Sequence, residues 1–144
     1  MIKEILQTIP LKTVMSSPVI TISESADFSA VNDKFDFYDI RHLPVVNGSG
    51  GLVGLITQRS LYQIHSPRKL EDGSWYYDTD MLNGFILKNV MIKDVLTLKP
   101  ESTLAEAVKV VVSYKYGCIP IVDEYKTPVG IVTRDNIFKF LLTQ

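Results

Sequence analysis

The sequence predicts an α+β fold made of two β-α-β-β-α units related by a pseudo-twofold axis. Three observations predict it. A slide of 76 positions lays residues 11–64 on residues 87–140 without a gap, with twelve identical pairs, among them Val14/Val90, Met15/Met91, Pro44/Pro120, Gly54/Gly130 and Thr57/Thr133. Each copy shows β-rich runs bounded by turn residues, with one helical pattern inside and another at its end. A unit of about 50 residues buries too little surface alone, so the two copies must share burial.

The elements follow in order. Ile2, Ile5, Leu6 and Ile9 have helical spacing at the N-terminus. In repeat one, residues 19–22 (VITI) are a short strand, Asp27 caps a helix, and Phe28, Val31 and Phe35 form its apolar stripe. Strands at 43–46 (LPVV) and 52–57 (LVGLIT) are joined by the turn NGSGG and followed by a second helix. In repeat two, residues 95–98 (VLTL) are the counterpart strand. Thr103 and Glu106 make a capping box, and Leu104, Ala107, Val108, Val111 and Val112 fall on one helix face. Strands at 119–122 and 128–133 flank the turn DEYKTP. The last helix carries Ile137, Phe138, Phe140, Leu141 and Leu142. The organisation is therefore 1–64 for the N-terminal segment and repeat one, 65–86 for a linker, and 87–144 for repeat two. Within the linker, EDGSWYY suggests an Asp-Gly hairpin, with Trp75, Tyr76 and Tyr77 expected to pack it onto the body.

Composition narrows the function. Lys plus Arg number 15 and Asp plus Glu 16, so no electrostatic footprint for nucleic acid or an anionic membrane exists. The single cysteine, Cys118, forms no intrachain disulfide and fits a reducing compartment. No signal-peptide pattern and no apolar run near 18 residues occur, so a cytoplasmic location is expected. His42, His65 and Cys118 lack zinc-type spacing, so no metal is assigned. Neither a nucleophile elbow nor a Walker loop is present, and no catalytic residue is assigned. The chain reads as a non-enzyme.

The "VM" before each first strand, the prolines of RHLPVV and CIPIV, and the endings GLITQRSL and GIVTRDNI resemble the tandem cystathionine-β-synthase-type (CBS) domain pair, or Bateman module. The resemblance covers residues 11–142 and implies two CBS units packed as one CBS-pair body. It further implies a regulatory module binding an adenosine-containing nucleotide (AMP, ADP or ATP) in a cleft between the repeats, with no required cofactor. In nucleotide-binding members a Gly-apolar-apolar-Thr/Ser-x-x-Asp motif holds the ribose. Here the matching positions are Thr133 and Asn136 in repeat two, and Thr57 and Ser60 in repeat one, so the Asp is missing from both. Basic residues expected to hold phosphates, Arg41, His42 and Arg59, all come from repeat one, whereas repeat two places Asp135 at the matching point. One working cleft is thus expected. The ribose would sit on Thr133 and Asn136, and the adenine against the backbone of Val95 to Thr97 beside Ile119 and Pro120. A weaker second cleft would hold Thr57, Ser60 and Ile20.

Two alternatives stay open. Thr57 and Thr133 serve equally well as helix caps, and Arg41 and Arg59 as solvated surface charges. A ligand-free dimerisation module remains the other reading of the whole. The resemblance implies a homodimer, with the second helices and the N-terminal segment as its contact, and a regulated protein partner of unknown identity.

Overall fold

The computed structural model describes residues 1–64, 68–76, 83–114 and 117–144. His65 and Tyr77 lie outside the described residues. The chain forms two compact units, and they cut across the sequence repeats. One, here the repeat-one unit, holds residues 20–49 and 53–94. The other, the repeat-two unit, holds residues 1–19, 50–52 and 95–144.

In the repeat-one unit, β1 (Ile22–Ser23) runs parallel to β2 (His42–Val46), which neighbours β3 (Leu52–Thr57). Helix α2 (Phe28–Tyr38) starts at Asp27, whose carboxylate accepts from the Ala30 N–H at 2.9 Å. Its expected stripe, Phe28, Val31 and Phe35, is buried against Leu43, Val45 and Ile56 of the sheet. Helix α3 (Gln58–Ile64) follows β3 directly and buries Leu61. A hairpin of β4 (Arg68–Lys69) and β5 (Trp75–Tyr76) then turns at Gly73, φ 92°. The short helix α4 (Leu87–Val90) inserts Leu87 into the same core.

The repeat-two unit is built the same way. Helix α5 (Leu104–Tyr114) has the expected capping box: the Thr103 N–H donates to Glu106 at 2.8 Å, and the Glu106 N–H donates to Thr103 at 3.3 Å. Strands β6 (Cys118–Val122) and β7 (Pro128–Thr133) pair antiparallel, and α6 (Arg134–Leu142) leaves β7 without a loop. Leu11, Leu104, Ile119, Ile121 and Val132 are fully buried at its centre. Helix α1 (Ile2–Thr8) lies against α5, and Leu6 and Ile9 pack on this core.

The lead-in segment of each repeat closes the sheet of the other repeat. Ser16 pairs with Ile131 of β7, and Ile92 pairs with Leu55 of β3, in equivalent antiparallel bridges. This pairing is why the compact units and the repeats do not coincide.

Four expectations are corrected. The first strands are far shorter than residues 19–22 and 95–98: only Ile22–Ser23 and the single Leu98–Ile121 bridge pair. In repeat two the parallel ladder uses the Leu98 N–H to the Pro120 carbonyl and the Val122 N–H to the Leu98 carbonyl. The next bond back would need an N–H on residue 120, and proline has none. Pro44 stops repeat one at the same point. Val112 is 72% exposed, because it lies about 80° around the helix from Leu104, at the rim of the stripe. Phe138 and Leu142 are also exposed, while Ile137 is buried. Finally, Trp75 stands 64% exposed with the Lys69 ammonium 5.6 Å from its ring centre, so it does not pack the linker down.

Candidate ligand site

Thr133 ends β7 and caps α6, and Asn136 is locked to it. The Asn136 amide oxygen accepts from both the N–H and the hydroxyl of Thr133 at 2.8 Å, and the Thr133 hydroxyl accepts from the Asn136 N–H at 3.2 Å. The Asn136 side-chain amide donates to the Ser16 hydroxyl at 2.9 Å. The oxygen is therefore spent on the cap. The second amide N–H of Asn136 is the group of its side chain that no described residue meets. Beside it the Ser16 hydroxyl can both donate and accept.

Thr57 and Ser60 repeat the capping geometry in the repeat-one unit. Their hydroxyls are 3.1 Å apart, the Ser60 N–H donates to Thr57 at 3.2 Å, and the Thr57 N–H donates to Ser60 at 3.3 Å. Ser60 is only 4% exposed, so its hydroxyl faces the cap rather than a ligand.

The remaining residues divide between the units. Val95, Thr97, Ile119, Pro120, Asp135, Thr133 and Asn136 all belong to the repeat-two unit, and Arg41, His42, Arg59, Thr57, Ser60 and Ile20 to the repeat-one unit. In the repeat-two unit, residues 95–97 are half-buried and run toward Pro120, where Leu98 makes the first ladder bond. Among the described residues, no partner meets the backbone N–H or C=O groups of residues 95–97. Half-buried peptide groups of this kind need water or a ligand. Ile119 packs in the core of this unit, and Pro120 is buried beside the first ladder bond. Asp135 is exposed in the first turn of α6. In the repeat-one unit, the Gln58 N–H donates to the Arg41 carbonyl at 2.9 Å, which places Arg41 at the start of α3, the helix that carries Arg59.

Cys118 opens β6 and is 2% exposed, and burial pushes its thiol up to about 12. It is a packed side chain and not a nucleophile at neutral pH. Ser16 is the polar residue that sequence reasoning missed. Its repeat counterpart is Ile92, so the internal comparison that exposed the other positions carries no signal there.

A profile of the CBS domain matches residues 11–65 and 87–143. The chain belongs to the CBS domain family. Its fold is that of a CBS domain pair: the pair of protein MJ0100, solved with 5′-methylthioadenosine and S-adenosyl-L-methionine, superposes with a TM-score of 0.77 at 23% identity, covering 93% of this chain and 96% of that one. CBSX2, solved in complex with AMP, gives 0.76 at 18% identity, covering 94% and 97%. Among curated sequences, a homoserine O-acetyltransferase of Methanococcoides burtonii is 30% identical over 129 residues, which are 89% of this chain and 23% of that protein. The CBS pair thus spans about a quarter of such relatives. Among the described residues, no helix is long and apolar enough to cross a membrane.

Proposed function

We propose that this CBS pair is a non-catalytic regulatory module that binds an adenosine-containing nucleotide (AMP, ADP or ATP) at the repeat-two unit. The observation that carries the reading is the half-buried backbone edge of residues 95–97, which no described residue pairs, beside the strand that carries Ile119 and Pro120. A purine edge carries both a donor and an acceptor and matches such an edge. The vicinal hydroxyls of a ribose would take the spare Asn136 N–H and the Ser16 hydroxyl. Thr133 holds Asn136 in place for this role. Solved relatives with AMP or S-adenosyl-L-methionine bound support the ligand class. Thermal shift with adenosine, AMP, ADP, ATP, S-adenosylmethionine and NAD is the test. A ligand at a hundred times its dissociation constant adds about 2.7 kcal/mol. Absence of any shift across the panel rejects the reading.

The second reading is a ligand-free homodimerisation module. It is favoured by the two closed caps and by an apolar groove of about 390 Å³ between α5 and α6, lined by Val108, Val111, Val112, Ile137 and Phe138 with Arg134 at its side. Val112, Phe138 and Leu142 leave this face uncovered.

A further inference from the structure

The two repeats treat one backbone position differently. Thr21 and Thr97 are identical under the 76-residue offset, and each lies one residue before the paired end of its first strand. In the repeat-one unit, the Lys34 ammonium on α2 donates to the Thr21 carbonyl at 2.5 Å. At the equivalent helix position repeat two has Val110, which has nothing to donate, and the Thr97 carbonyl has no partner among the described residues. Lys34 is half-buried, so its charge is satisfied locally by this bond rather than fully by water.

We infer that Lys34 closes the repeat-one counterpart of the adenine position and makes the module bind one nucleotide per chain. The inference rests on the proposed adenine placement at residues 95–97. The physical reason is direct. The Thr21 carbonyl, already accepting from an ammonium, is a poor acceptor for a purine amino group, and the lysine chain stands where that group would approach. Ser60, turned into its cap, removes the second polar anchor from the same unit. Lys34 is thus a specificity-determining residue, and it acts independently of the Asp135 charge.

The test is calorimetric stoichiometry with AMP and with adenosine on the full chain. Wild type is expected to bind one per chain, Lys34→Met two, and Lys34→Arg, which keeps the donor, one. The mirror variant Val110→Lys should place an ammonium on the Thr97 carbonyl and weaken the single site at least about tenfold. Val110→Met should bind as wild type. Melting curves establish that each variant is folded, and the two variants of opposite direction cover the case in which one is not. If wild type binds one and both Lys34→Met and Val110→Lys leave binding unchanged, the inference is wrong while the functional reading stands. If wild type binds none, the functional reading fails. A site gained in Lys34→Met then still supports the role of Lys34, and no site in either protein overturns both.

Discussion

Asn136 and Ser60 occupy the same repeat position and make the same cap, yet Ser60 is buried and Asn136 half-buried. Ser60 spends its hydroxyl on Thr57 and is buried, whereas Asn136 has a longer side chain that caps with its oxygen and reaches Ser16 with its nitrogen. Ser60→Ala should therefore cost about 1–2 kcal/mol of stability, because the Thr57 N–H loses its partner, and leave AMP affinity unchanged. Asn136→Ala should cost a similar amount of stability and also weaken AMP by roughly 1–3 kcal/mol. Urea denaturation and calorimetry on the two variants separate the effects, and equal loss of affinity in both would contradict the assignment. Cys118 gives a prediction of opposite character. Its thiol is raised from 9.0 to about 12 in the folded state by burial. The folded state thus favours the protonated form, and that stability is full below pH 9 and lost as pH rises from 9 toward 12. Alkylation by iodoacetamide at pH 8 should be negligible until the chain is unfolded. Rapid native-state labelling would show that the thiol is exposed.

At the scale of elements, each third strand is held by a methionine from a lead-in segment. A Cβ on Gly54 would run into the Met91 thioether and come within 3.0 Å of the Ile92 carbonyl, and one on Gly130 would meet Met15 and the Ser16 carbonyl in the same way. These glycines are needed for close approach, not for backbone conformation. Gly54→Ala and Gly130→Ala should each cost about 1–3 kcal/mol, the range for overpacking. Shortening the matching methionine should recover part of the loss, as measured by a double-mutant cycle. Additive losses would mean that the methionine is not the obstacle. The capping boxes at Thr103 and Thr133 and the Asp27 cap explain why each helix starts where its strand or loop ends.

For the whole molecule, the exposed apolar face of α5 and α6 is the feature to account for. Val112, Phe138 and Leu142 are 72%, 62% and 85% exposed. Leu6 and Ile9 of α1, by contrast, pack on the core of their own unit, which leaves Ile2 as the uncovered apolar residue of that helix. If this face is the homodimer contact, the 16.2 kDa chain should sediment at twice its mass and Phe138→Asp should shift it to the monomer. A wild type that is already monomeric at high micromolar concentration would remove the dimer.

The sequence by itself determined the duplication, the apolar stripe of α2, the helix caps, the hairpin at Gly73 and the family, because these depend on spacing and local chemistry. The resemblance to the family's ribose motif also pointed to Thr133 and Asn136. Tertiary structure alone decided how those residues are used. Pairing of Ser16 with Ile131 joins positions 115 residues apart, and that brought Ser16 to the Asn136 amide. The missing N–H of Pro120 left the Leu96 carbonyl without its ladder donor, and a lysine one helix away took the Thr21 carbonyl. Each of these is a long-range hydrogen-bond assignment, and no local pattern encodes which donor a given carbonyl will meet.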